Sequence, residues 1–149
     1  MTRQPRAEDI NTILVPTDGS ECSEKAVSLA GNLAKKLSAK VHVLLVSETN
    51  YAGWYHYVLD GTVSEKIMRK GKAIVDTTAK AMRESGVAQV DAHHEEGHPG
   101  EVITETAIRL DADLIVMGTH GRRGLERAFM GSVAREVANT TSVPLLLVK

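Results

Sequence analysis

The 149-residue chain is poor in three things: it has one cysteine, Cys22, four prolines and five aromatic side chains. A lone cysteine forms no intrachain disulfide and builds no thiolate metal cluster, which argues against a stapled secreted scaffold and fits a reducing, cytoplasmic setting. An excess of one charge is also missing. Eighteen Lys and Arg against nineteen Asp and Glu leave a net charge of -1, so no global positive field gathers polyanions and general nucleic-acid binding is not expected. No apolar run approaches the roughly 20 residues of a membrane helix, and no membrane insertion is expected. Residues 1–10 are polar, carry Pro5 and hold no signal-peptide core; they read as a loose tail before one domain over residues 11–149. Hydrophobic residues at 42% and charged residues at 25% suffice for an ordinary core of that size. There is no internal repeat and no low-complexity tract.

Four short apolar runs stand out: Ile13 to Val15, Val41 to Val46, Leu114 to Met117 and Leu145 to Val148. Continuous β-branched and Leu-rich runs of this length suit strands buried on both faces, as in parallel sheets. A weaker run, Val90 to Glu95, alternates apolar and polar residues and suits an edge strand. Between the runs lie helical patterns. From Ser23 to Leu37 the residues Ala26, Leu29, Ala30, Leu33 and Leu37 form an apolar stripe, with Ser20 as N-cap. Val63 to Glu84 predicts a second helix stopped near Ser85-Gly86. A third runs from about Pro99 to Leu110 with Val102, Ile103, Ala107 and Leu110 inward, and a fourth from Ser132 to before Pro144 with Val133, Val137 and Ala138 inward. Strict alternation of strand and helix predicts a single-domain, doubly wound, five-stranded parallel α/β sheet with helices on both faces. Ligands of such sheets bind beyond the carboxyl ends of the strands.

The segment after Met117 carries the strongest chemical signal. Neither G-x-G-x-x-G nor G-x-x-x-x-G-K-[ST] occurs in the chain. The ingredients of a phosphate cradle are nevertheless there: glycines that let backbone approach an anion, a helix start at Gly131-Ser132, and Arg122, Arg123 and Arg127 against Glu126. A glycine-rich surface loop with a normal helix cap is the alternative reading.

Gly118, two residues, Gly121, nine residues, then Gly131-Ser132 resembles the G-x2-G-x9-G-(S/T) ATP-binding signature of the universal stress protein family. Pro16-Thr17-Asp18-Gly19-Ser20 after the first strand, Gly97-His98-Pro99 before the third helix and the closing Val143-Pro144-Leu145-Leu146-Leu147-Val148 match that family too. The resemblance covers about residues 11–149. It implies a Rossmann-like fold with strand order 3-2-1-4-5 and ATP as ligand, with a magnesium ion as a further option. Adenine would lie against Pro16, Thr17, Asp18 and Val46. Ribose and phosphates would follow Gly118, Thr119, His120, Gly121 and Arg122 and rest on the amides of Gly131, Ser132 and Val133, with Met117 and Arg123 completing the cofactor-binding set. Three roles stay open for Asp18: holding nucleotide, placing a divalent ion, or capping the turn.

Family likeness further implies a regulatory sensor or adaptor in the stress response, paired as a homodimer through the strand Val143 to Val148 and signalling to an unidentified protein. Two alternatives use the same fold: a weak ATPase in which Asp18 and a metal assist water attack, and a nucleotide-free interaction scaffold. No catalytic set can be assembled from the motifs. Tyr51, Trp54, Tyr55 and Tyr57 cluster after the second strand, as a lid or partner contact or as a local plug. His93, His94 and His98 beside Glu95 and Glu96 invite a metal, but adjacent strand residues point to opposite faces, so His93 and His94 do not readily share one ion.

Overall fold

The computed structural model describes residues 6–48, 61–121 and 129–149. The aromatic segment Tyr51 to Tyr57 and the loop residues Arg122, Arg123, Glu126 and Arg127 lie outside the described residues. Within the expected tail, Ala7–Asp9 form a turn of 3-10 helix and Ile10 packs on the core.

Among the described residues five strands, β1 (Thr12–Pro16), β2 (Lys40–Glu48), β3 (Val90–Gly97), β4 (Leu114–Gly118) and β5 (Leu145–Val148), alternate with four helices, α1 (Glu21–Leu37), α2 (Gly61–Glu84), α3 (Pro99–Arg109) and α4 (Ser132–Thr140). All strand pairs are parallel and the order is β3-β2-β1-β4-β5. This is the doubly wound parallel sheet expected from the alternation of apolar runs and helices, in the Rossmann-like strand order that the family resemblance implies. Ile13 and Val15 share a cluster with Val41, Val43, Leu114 and Val116 under α1 and α2, while Leu14, Leu44, Ile115 and Met117 meet Ile103 and Ala107 of α3 and Ala134 and Val137 of α4. Successive residues of one strand thus feed opposite cores, which is why these strands read as unbroken apolar runs.

The helices depart from their patterns at three positions. Leu29 lies on the outer flank of α1 and is exposed; small side chains, Ala26, Ala30 and Ala34, form the buried stripe and bring the helix close to the sheet. In α4, Ala134 rather than Ala138 is buried beside Val137. α2 begins two residues before the predicted Val63. It ends where Gly86, at φ +104°, turns the chain in a conformation that favours glycine. Among the described residues no helix is long and apolar enough to cross a membrane.

Candidate nucleotide site

The sheet order reverses between β1 and β4, so the connections leaving these two strands diverge and open a crevice beyond their carboxyl ends. A cavity of about 450 Å3 occupies it, within the size range of small-molecule sites. Pro16, Thr17 and Asp18 supply one wall, Leu44, Val46 and Glu48 of β2 another, and Met117 to Gly121 a third; Gly131, Ser132, Val133 and Ala134 close it at the start of α4. Twelve of the fourteen residues singled out from the sequence therefore line one space. The other two, Arg122 and Arg123, lie outside the described residues.

The turn after β1 is built by its own polar side chains. Thr17, almost wholly buried, accepts from the Gly19 amide at 3.2 Å, and its hydroxyl meets the Ser23 hydroxyl at 3.1 Å. Ser23 Oγ donates to the Ser20 carbonyl, and Ser20 Oγ accepts from the Ser23 amide as the N-cap of α1. Asp18 Oδ1 accepts from the Ser20 amide at 2.9 Å, so the turn-capping role of this carboxylate is realised. Gly121 passes so near that a Cβ there would stand 2.7 Å from Asp18 Oδ2.

On the opposite wall the Thr119 amide donates to the Val148 carbonyl and the Thr119 carbonyl accepts from the Gly131 amide at 2.7 Å. That second bond clamps the two ends of the glycine-containing connection together. It also commits the Gly131 amide to protein, so the free donors at the helix start begin with Ser132. Gly131 is the N-cap of α4 and has no side chain to cap the first turn, which leaves the helix start open to an acceptor from the cavity. His120 bonds through Nδ1 to Thr119 Oγ1 at 2.8 Å, while its Nε2 is buried without a hydrogen-bond partner among the described residues. A buried polar atom in that state calls for a ligand or water.

Gly118 answers a different need. A Cβ there would lie 3.0 Å from Cys22 Sγ and 3.1 Å from the Cys22 carbonyl carbon and oxygen, so the absent side chain is what lets β4 end against the first turn of α1. The Cys22 thiol donates to the Val148 carbonyl at 3.3 Å. Leu44, Glu48, Ser23, Pro99, Ile103 and Ala134 line the cavity without having been singled out from the sequence. Leu44 was findable, since it shares a strand face with Val46; Ile103 and Ala134 enter only because α3 and α4 pack side by side.

Among the described residues the cavity lining holds two carboxylates, Asp18 and Glu48, and neither Lys nor Arg. Cationic neutralisation of a polyphosphate would have to come from a divalent ion or from residues outside that set.

The family model described as the universal stress protein family matches residues 9–149. A universal stress protein of Methanocaldococcus jannaschii, MJ0531, is 37% identical over 138 residues, spanning 92% of this chain and 81% of the relative. Among solved structures, that of hypothetical protein MJ0577 superposes with a TM-score of 0.84 at 26% identity, covering 94% of this chain and 96% of that one. A universal stress protein crystallised in complex with cAMP superposes with a TM-score of 0.65 at 26% identity, covering 93% and 96%.

Proposed function

The chain belongs to the universal stress protein family, and we propose that it is a nucleotide-binding member that takes ATP in the cavity between β1, β2 and β4 and acts as a regulatory sensor or adaptor. The observation that carries this reading is the convergence of an uncapped helix start at Gly131-Ser132 with the glycine-containing turn at Gly118 to Gly121 on one cavity of suitable size. Helix amides and their dipole favour a phosphate there. Pro16, Leu44, Val46 and Ile103 offer the apolar contact that a purine ring needs. The cAMP complex of a relative supports an adenine nucleotide as the ligand class.

Asp18 and Glu48 are the carboxylates that would hold a magnesium ion against the phosphates, since hard oxygen donors suit that ion. Among the described residues β5 is an edge strand paired only with β4. Homodimerisation through Val143 to Val148 is part of the proposal, and light scattering at micromolar concentration should give twice the 16.1 kDa chain mass. The deciding experiment is calorimetric titration of ATP into protein stripped of small molecules, with mass spectrometry of whatever is released on denaturation. Co-purified adenine nucleotide or micromolar binding is the expected result. A folded protein that releases no nucleotide and gives no heat with ATP refutes it and leaves the scaffold reading. Bound ATP that stays intact for hours separates a sensor from a weak ATPase, which would release phosphate.

A further inference from the structure

Apolar side chains of β1, β2 and β4 pack against α3 and α4, but the edge strand β3 carries polar groups on the same face, at Asp91, His93 and Glu95. Glu95 is occupied by the Arg109 guanidinium and the Thr106 hydroxyl. The other two face His42, which stands on β2 directly opposite Asp91 in the sheet register. His42 is 6% exposed, a titratable ring in a position that the neighbouring strand fills with Leu14. Its Nδ1 lies 2.8 Å from His93 Nε2 and 3.9 Å from Asp91 Oδ2.

We propose that His42 Nδ1, His93 Nε2 and an Asp91 carboxylate oxygen form a binding site for a divalent transition-metal ion of the zinc class, with a coordination position left open. One ligand atom from each residue already lies within 4.8 Å of the others. Zinc–ligand bonds of about 2.0–2.1 Å in tetrahedral geometry place ligand atoms about 3.3 Å apart. The two pairs bracket that spacing: the imidazole pair opens by about half an ångström and the His42–Asp91 pair closes by about the same, movements that side-chain torsions absorb. Two imidazoles and one carboxylate are borderline donors that select zinc, cobalt, nickel or copper over magnesium or calcium.

Protonation suits the ion as well. The two ring nitrogens face each other across a hydrogen bond, so one of them carries a hydrogen; a metal takes that place when the donating ring moves its proton to its other nitrogen, where the accepting ring already carries its own. Burial keeps His42 below its ordinary protonation range, and a neutral imidazole is the form that ligates. Asp91, with its side chain half exposed, provides the way in from solvent. Opposing the ion is Lys40, whose ammonium sits 2.7 Å from Asp91 Oδ2 and competes for the same carboxylate. The site lies beside the nucleotide cavity without sharing a residue: His93 pairs in register with Leu44, which lines the cavity, but none of the three ligands does.

The test is titration of the full-length protein with Co2+ in the absence of nucleotide, followed by visible absorption and by displacement with Zn2+, with circular dichroism to show that each variant is folded. One equivalent should bind, with the intense bands of four- or five-coordinate cobalt. His93→Gln and Asp91→Asn should each weaken binding by more than about tenfold, since even outer-shell partners of metal sites are worth about 10- to 100-fold. Lys40→Gln should tighten it, a gain that nonspecific surface binding would not produce. His94→Gln, on the next residue but the opposite face, should bind as the parent does. Only weak six-coordinate bands, undiminished affinity in folded His93→Gln and Asp91→Asn, or a loss in His94→Gln as large as theirs would overturn the assignment.

Discussion

Placing a methyl group on Gly118 tests whether the first glycine of the family spacing serves packing. The main chain there has no left-handed twist to forbid alanine, so Gly118→Ala changes only what the new Cβ meets: Cys22 Sγ at 3.0 Å and the Cys22 carbonyl carbon and oxygen at 3.1 Å. Ordinary carbon contacts begin near 3.5 Å, so β4 and the start of α1 must part by several tenths of an ångström. Overpacking of this kind costs about 1–3 kcal/mol. Loss of glycine's freedom in the unfolded chain offsets about 0.4–1 kcal/mol of it. A net loss of about 1–2 kcal/mol corresponds to a Tm lower by about 2–8 °C for a chain of this length. Adding Cys22→Ala removes the sulfur but leaves the carbonyl in the way, so the double variant should show a favourable coupling of about 0.5–1 kcal/mol and incomplete recovery. Thermal and denaturant unfolding of the four proteins in the cycle measure this. A Gly118→Ala protein as stable as the parent would refute the packing argument, and full recovery in the double variant would refute the role given to the main chain of α1.

Gly121→Val should act on ligand instead: its Cβ would meet Asp18 Oδ2 at 2.7 Å on the cavity wall, and ATP affinity measured by calorimetry should fall by at least about tenfold, or 1.4 kcal/mol, while stability stays within about 1 kcal/mol at this exposed position. Ser20→Ala removes the N-cap acceptor of α1 and should cost about 1 kcal/mol, read as a Tm lower by about 2–4 °C. Acidification should weaken the fold through His42. Burial first, then the charges on His93 and Lys40, hold it below its ordinary value of 6.5 against a smaller opposing pull from Asp91; between the folded and unfolded values the unfolded chain binds more protons, so stability falls as pH drops below about 6.5. Asp91, held low chiefly by its hydrogen bond from Lys40, adds its own loss only as the pH falls further, through the usual carboxylate range. Tm measured between about pH 7.5 and pH 5 should decline in the parent and decline less in His42→Gln; equal slopes would refute the assignment to His42.

Much of the architecture was legible because burial on both faces leaves its mark in a single chain segment. Ile13 to Val15 cannot be anything but apolar when alternate residues enter opposite cores, and Ser20, Pro99 and Gly86 announce helix ends through local backbone chemistry. Helix faces were less legible. Three- and four-residue spacing admits both Leu29 and Ala34 to the stripe of α1, and only the close approach of the helix to the sheet selects the smaller side chain.

The cavity and the histidine cluster differ in the same way. Twelve of the cavity residues come from strand ends and a helix start, where the topology decides that they converge, so the strand-end rule and the family resemblance together led to residues that line one space. His42 lies inside the apolar run Val41 to Val46, and its partners are some fifty residues on, at Asp91 and His93. The one local sign was a titratable ring in an otherwise apolar strand. Weighing His93 against His94 correctly separated two side chains on opposite faces: His94 bonds Ser47 and stands under Gly71 of α2. The ring that does face His93 comes from the neighbouring strand, and its choice depends on register, which a single sequence encodes only through the whole sheet. A register one residue different would put Val41 or Val43 opposite Asp91 and leave no imidazole within reach of His93, so the cluster is a property of the assembled β2–β3 pair rather than of any motif.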